Sequence, residues 1–291
     1  MSVAIIINPL SGGASPAKGR KRAELAAEAL TTSGESGDIF VTEGRGHARE
    51  LAAAEAKRGA RLVIAWGGDG TINEVGSALV FGSTALGIVP SGSGNGLARE
   101  LTVSRRPEQA IGDALHAVPR AIDAGELDGR LFFNLAGLGF DAHIATCFDR
   151  DQSGRRGFRT YARLTGRELF RYKALTYCID GTTVDRAVIV TIANSGQFGN
   201  GARVAPSARV DDGLLDLVVF QETTRLATVA TIPRFFTGSF DRVKGVTVRR
   251  IERVTISSDR PITFHVDGEP AEGGTTLEAR VHPAALLVAV R

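Results

Sequence analysis

Asp69 and Thr71 sit inside a run of glycines, Gly67-Gly68-Asp69-Gly70-Thr71-Ile72-Asn73, and that pairing points to phosphate chemistry. Glycines adopt positive φ and let a ligand approach the main chain. Successive N–H groups in such a turn form a concave anion site, and a helix starting directly after it adds unpaired N–H donors. Thr71 supplies a hydroxyl donor. A carboxylate beside phosphate is repulsive unless a cation lies between them, so Asp69 reads as part of a Mg²⁺ arrangement. The run has no Gly-Lys-Ser/Thr and is therefore not a Walker A loop. A second loop, Ser91-Gly92-Ser93-Gly94-Asn95-Gly96, and a third, Asn8-Pro9-Leu10-Ser11-Gly12-Gly13, have the same texture. Far downstream, Asp267-Gly268-Glu269 forms an acidic turn.

The elements that must position these loops alternate in the manner of βαβ units. Apolar runs Val3–Ile7, Leu62–Trp66 and Leu86–Val89 each lead into one of the loops. Helical stretches follow at Arg20–Leu30, at Ile72, Val75 and Leu79 with i, i+3, i+7 spacing, and at Leu97–Leu101. Continuous apolar strands between helices predict a parallel sheet covered on both faces, with ligands at the carboxyl ends of its strands. From about Asp123 strands dominate: Leu131–Leu135, Ala174–Ile179, Val184–Ala193, Leu214–Phe220, Val246–Arg249, Val254–Ser257, Ile262–Val266 and Leu277–Val281. Two helices are expected there, Arg155–Tyr172 and Leu226–Thr237. In Ile262–Val266 the alternation reads as a half-buried strand with Thr263 and His265 on the outer face. The division is an α/β nucleotide-binding domain over 1–122 and a C-terminal β-sandwich domain over 123–291, the final strand returning to the first domain.

Composition narrows the partners. The chain has 291 residues, 43% of them apolar, with 35 Lys plus Arg against 32 Asp plus Glu, a net charge of +3. That balance does not call for nucleic acid and permits contact with an anionic surface or phosphate. Two cysteines, Cys147 and Cys178, make neither a disulfide framework nor a metal cluster, which suits a reducing cytoplasm. Met1–Asn8 reads as a buried strand rather than a signal peptide. No apolar stretch nears the ~18 residues of a spanning helix.

The segments NPLSGG (Asn8–Gly13), GGDGTINEV (Gly67–Val75) and PSGSGNGLAR (Pro90–Arg99) together resemble the diacylglycerol kinase catalytic family, which takes in bacterial lipid kinases and the sphingosine and ceramide kinases. FFNLAGLGFDAHIA (Phe132–Ala145), APSARVDDGLLDL (Ala205–Leu217) and FHVDGEP (Phe264–Pro270) carry the resemblance to nearly the whole chain. GGDGT alone is also similar to the NAD kinases, whereas Asn73-Glu74 and the second loop favour the lipid kinases.

The resemblance implies an NAD kinase/diacylglycerol kinase-like fold and an ATP- and Mg²⁺-dependent transfer of the γ-phosphate to a lipid hydroxyl. It implies that Gly67, Gly68, Asp69, Gly70, Thr71, Ile72 and Asn73 hold the ATP phosphates. Thr42, Ser93 and the neighbouring Gly94 and Asn95 contact nucleotide, with Asn8 contributing from the first loop. Glu269 is implied as the general base. A structural Mg²⁺ falls on the Asp212 carboxylate with the Arg209 and Leu214 carbonyls, and Asp123 joins Asp69 in a water-linked Mg²⁺ network. Bacterial diacylglycerol kinases carry an aspartate where this chain has Gly96, so diacylglycerol is one candidate among several lipid alcohols.

Arg155, Arg159, Arg163, Arg167 and Arg171 recur every four residues, one basic ridge on a helix. It is either a solvated face or a dock for anionic phospholipid. The expected setting is cytoplasmic and peripheral at the inner membrane face. Two alternatives stay open: an NAD kinase-like phosphotransferase on a soluble substrate, and a non-catalytic lipid-binding regulator of the same fold.

Overall fold

The computed structural model describes residues 2–13, 16–150, 158–199, 201–222 and 224–291. The chain divides into two compact units, 1–122 with 284–291, and 123–283.

The first unit is built on β1 (Val3–Ile7), α1 (Pro16–Thr32), β2 (Gly37–Val41), α2 (His47–Lys57), β3 (Leu62–Gly67), α3 (Asp69–Leu79), β4 (Ala85–Pro90), α4 (Gly96–Glu100) and α5 (Pro107–His116). Its strands are parallel in the order β2-β1-β3-β4. Every residue of β1 is buried, as an apolar run covered on both faces requires. Val3, Ile5 and Ile7 pack with Ala26 and Leu30 of α1 and Ile111 and Ala114 of α5. Each such isoleucine contributes about 1.5–3 kcal/mol by leaving water. The chain leaves β1 for β2 on one side and returns to β3 on the other. The loops after β1 and β3 therefore flank a topological switch point, where parallel sheets bind ligands.

The second unit contains β5 (Arg120–Leu127, from Asp123 on), β6 (Arg130–Phe132), β7 (Leu135–Gly139), α6 (Phe140–Asp149), α7 (Phe158–Leu169), β8 (Leu175–Ile179), β9 (Thr182–Ala193), β10 (Gln197–Gly199), β11 (Ala202–Arg203), β12 (Leu215–Gln221), α8 (Arg225–Phe236), β13 (Val246–Ile251), β14 (Arg253–Ser257), β15 (Thr263–Val266), β16 (Glu269–Glu272) and β17 (Thr276–Val288, as far as Pro283). The 12-residue β9 organises it. Its first half pairs with β8, which leads to β14 and β17. Its second half pairs with β7 and β12, which lead to β15, β16 and β13. The apolar core collects Phe132, Leu138, Tyr177, Ile192, Leu217, Ile256, Phe264 and Leu277 from these strands. β17 breaks at Ala284, φ 51°, and Val288 then pairs in parallel with Leu86 of β4 in the first unit.

Four expectations change. The strand expected over Leu131–Leu135 is two strands, because the Phe133, Asn134 and Leu135 N–H groups donate to the Asp267 carboxylate. A third helix, α6, follows Gly139, whose φ of 87° turns the chain out of β7. The helix expected over Arg155–Tyr172 runs Phe158–Leu169, so Arg171 lies past its end, and Arg155 and Arg156 lie outside the described residues. His265 is 4% exposed rather than outward-facing, because α6 packs against β15.

Candidate functional site

The loops of the first unit are tied to one another by side chains. After β1, Asn8 Nδ2 donates to Thr71 Oγ1 at 2.9 Å, which leaves the buried Thr71 hydroxyl its own hydrogen to donate. Ser11 and Ser91 share a 2.6 Å hydroxyl contact, and the Ser91 N–H donates to the Gly67 carbonyl at 2.8 Å. A Cβ on Gly12, φ 68°, would overlap the Ser91 carbonyl oxygen, and one on Gly92 would stand 2.6 Å from the Gly68 Cα. Glycine is therefore required for the loops to lie this close.

Asp69 opens α3 and holds the second loop. Its Oδ2 accepts the Asn95 N–H at 2.8 Å and its Oδ1 the Gly96 N–H at 2.7 Å. The Asn95 amide closes that loop on itself, donating to the Gly92 carbonyl and accepting the Gly92 N–H, both at 2.8 Å. The first hydrogen bond of α3 is from the Ile72 N–H to the Gly68 carbonyl, so the Gly70 and Thr71 N–H groups precede the helical ladder and lie at its positive end. Ser93 is exposed and Gly94 half-buried. Asn73 accepts from Ser77 at 3.4 Å, and Glu74 accepts the Gly46 N–H at 2.9 Å, tying the segment after β2 to α3. Thr42 is buried at the carboxyl end of β2, its N–H donating to the Ile7 carbonyl.

Arg22 of α1 is a member that motif reading overlooks. Its guanidinium donates to the Asn8 carbonyl at 2.7 Å, the Ser11 hydroxyl at 3.0 Å and the Ser11 carbonyl at 3.2 Å. It also lies 5.8 Å from the centre of the Trp66 ring. Burial lowers its pKa from the ordinary arginine value. It fixes the first loop, and no pattern around position 22 announces that.

In the second unit the acidic turn is held from both sides. Asp267 and Gly268 take φ of 48° and 86°, a tight hairpin joining β15 to β16. The Asp267 carboxylate accepts three N–H groups, and His265 Nδ1 accepts the Gly268 N–H at 3.2 Å. Glu269 follows, half-buried. Asp123 meets the Arg209–Leu214 segment: its N–H donates to the Val210 carbonyl at 2.6 Å, and its Oδ2 accepts the Gly213 N–H at 2.7 Å. Asp212 Oδ1 accepts the Leu214 N–H at 3.2 Å. Its Oδ2 is buried without a hydrogen bond, 3.4 Å from Arg250 Nη2. With Arg250 as its ion-pair partner but no hydrogen bond, that buried oxygen keeps lone pairs of the kind a hard divalent cation takes.

His143, Cys147 and Glu168 bring ligand-type atoms within 4.8 Å of one another between α6 and α7. Arg167 Nε already donates to Glu168 at 2.8 Å, and burial, reinforced by Glu168, pushes the Cys147 thiol up. The trio is a helix–helix contact.

Residues 2–127 match the diacylglycerol kinase catalytic domain, and residues 134–290 match the YegS C-terminal NAD kinase beta sandwich-like domain. A Pseudomonas aeruginosa protein named "probable lipid kinase YegS-like" is 31% identical over 281 residues, covering 93% of this chain and 90% of that protein. A Chromohalobacter salexigens protein of the same name is 30% identical, covering 86% and 83%. Among solved structures, a diacylglycerol kinase from Bacillus anthracis str. Sterne superposes with a TM-score of 0.74 at 18% identity, covering 100% of this chain and 97% of that one. A second structure from the same bacterium reaches 0.82 at 21% identity, covering 100% and 95%. With both units matched and relatives aligned along nearly its whole length, the chain belongs to the family that joins a diacylglycerol kinase catalytic domain to a YegS-type β-sandwich-like domain.

Proposed function

We propose that this chain is a lipid kinase that transfers the γ-phosphate of ATP to the hydroxyl of a lipid alcohol. The observation that carries the reading is the set of cross-linked loops after β1, β3 and β4, with Thr71 and the start of α3 among them. That arrangement offers N–H and hydroxyl donors to phosphate oxygens without spending its own carbonyls on them. The lipid as acceptor is supported by the names of the relatives.

In this reading the Gly68–Thr71 turn and the start of α3 bind the phosphate chain, while Ser93 and Thr42 lie along the nucleotide. Asp69 keeps the two glycine loops in register and, with Asp123, is assigned to the Mg²⁺ network. Asp212, with the Arg209 and Leu214 carbonyls, is assigned to a second, structural Mg²⁺. Bound Mg²⁺ supplies neutralisation of charge on the phosphate oxygens. Glu269 takes the proton of the lipid hydroxyl as that oxygen attacks the γ-phosphorus, since an alcohol is a weak nucleophile until it loses its proton. The bond from the γ-phosphorus to the bridging oxygen breaks, and ADP leaves with the charge.

No described helix is long and apolar enough to cross a membrane. In this reading the lipid is met at a membrane surface, and the exposed arginines of α7 are assigned to anionic headgroups.

Incubating the chain with radiolabelled ATP and vesicles carrying diacylglycerol, sphingosine, ceramide or phosphatidylglycerol, with NAD as a soluble comparison, tests this. Label in a lipid is expected. Label in NAD alone, or in nothing, would sink the reading. Glu269→Gln is expected to lower turnover at least about 10²-fold, the scale of a lost general base, and to spare ATP binding.

A further inference from the structure

A buried polar cluster lies directly behind the turn that carries Glu269. Asp141 in the first turn of α6, Thr191 of β9 and His265 of β15 are 3%, 0% and 4% exposed. His265 Nε2 is 3.4 Å from Asp141 Oδ2, and the Thr191 hydroxyl donates to the same oxygen at 3.3 Å. Asp141 Oδ1 accepts the Ala142 N–H at 2.9 Å. Gly137 of β7 is the register partner of His265, and a Cβ there would overlap Asp141 Oδ2 and crowd His265 Nε2. The sheet thus leaves out one side chain to make room for the pair.

Burying a carboxylate and an imidazole is unfavourable unless each is well partnered, and apolar side chains of similar volume pack such a space with less cost. What the cluster does beyond packing is visible in its hydrogen-bond directions. Nδ1 of His265 accepts the Gly268 N–H at 3.2 Å, so the ring hydrogen sits on Nε2, facing Asp141. The chain of contacts runs Thr191 and Asp141 to His265 to the Gly268 peptide, one residue before Glu269. Asp267, the residue before Gly268, is itself held by the Phe133, Asn134 and Leu135 N–H groups that its carboxylate accepts.

We propose that Asp141 and His265 are positioning residues for the Glu269 carboxylate: Asp141 selects the tautomer and orientation of His265, and His265 Nδ1 fixes the Gly268 peptide. This rests on the reading of Glu269 as the base. Fixing a turn to within a fraction of an ångström is where a proton acceptor gains its rate.

The imidazole is replaced in halves to test this. In His265→Asn, the amide oxygen falls near the position of Nδ1 and can still accept the Gly268 N–H. In His265→Gln, the amide nitrogen falls near Nε2 and keeps Asp141, while the acceptor for Gly268 is gone. Full-length proteins are assayed with radiolabelled ATP on phosphatidylglycerol vesicles containing dioleoylglycerol, and exchange of the Gly268 amide is followed by NMR. His265→Gln is expected to lower kcat about tenfold with KM for ATP unchanged within about twofold, and to speed Gly268 exchange about tenfold. His265→Asn, which keeps an acceptor for Gly268 but loses the contact to Asp141, is expected to fall between wild type and His265→Gln on both. Unchanged Gly268 exchange in His265→Gln, or equal kcat losses in both variants at equal melting temperature, would overturn the proposal. A nitrogen-15 correlation spectrum of the wild-type chain gives a reading that survives any folding failure. Protonation of His265 at Nε2 is expected, and protonation at Nδ1 overturns the proposal. Full activity of Glu269→Gln would instead remove the base reading and the catalytic half with it, while the exchange and tautomer results still decide the clamp.

Discussion

The Asp69 carboxylate grips the backbone of the loop it faces, taking the Asn95 N–H on one oxygen and the Gly96 N–H on the other, at 2.8 and 2.7 Å. Asp69→Asn keeps the shape but turns an amide NH₂ toward one of those donors. A facing pair of donors leaves a buried N–H unmet, at about 1–3 kcal/mol. The melting temperature is expected to fall in metal-free buffer containing a chelator. If it falls only when Mg²⁺ is present, the carboxylate serves the metal and not the loop.

Thr71→Val removes a hydroxyl while keeping the branched shape, and strips Asn8 Nδ2 of its acceptor. A hydrogen bond to a charged phosphate is worth about 1.5–3 kcal/mol, so KM for ATP is expected to rise roughly ten- to a hundredfold. Isothermal titration with a non-hydrolysable ATP analogue reads the same loss as affinity. Unaltered affinity would take Thr71 out of the phosphate site.

Charge reversal of Arg159, Arg163 and Arg167 on α7 is expected to reduce sedimentation with anionic vesicles and to leave neutral vesicles unaffected. Arg163 and Arg167 are exposed on that helix. Unchanged binding to anionic vesicles would reduce the ridge to a solvated face.

Asp180, in the β8–β9 turn, answers to acid. The Thr255 N–H at 2.9 Å lowers its carboxyl below the ordinary range, burial opposes this, and Arg249 Nη2 at 2.6 Å adds to the lowering. A depressed carboxyl stabilises the fold above its unfolded pKa of about 4, and that contribution is lost as pH falls through the folded value. The melting-temperature gap between wild type and Asp180→Asn is therefore expected to be widest near neutrality and to close in acid. A gap that widens in acid would contradict the assignment.

The glycine loops are legible in the sequence because each follows an apolar run long enough to be a buried strand, and because positions such as Gly12 and Gly92 have no room for a Cβ. The tasks of Asp69 and Arg22 are not legible. Their partners are backbone groups on other loops, and a backbone group leaves no residue type to recognise. His265 is misread by alternation for a related reason. Period two separates the faces of a strand but does not say what covers the second face, and here α6 does. That helix is itself obscured, since Phe140–Asp149 follows a buried strand without a polar cap, its capping position being Gly139. Ile262, Phe264 and Val266, which need only an apolar neighbour, are read correctly.

The break in β17 at Ala284 has a consequence for synthesis. Residues 284–291 belong to the first unit, where Val288 pairs with Leu86 of β4. While the chain emerges from the ribosome, the β4 edge stays bare until the whole of 123–283 has been made. The second unit is then free to close before the first is sealed, the reverse of their order in the sequence. A fragment ending at residue 122 would carry an open, apolar strand edge, the kind that recruits other chains.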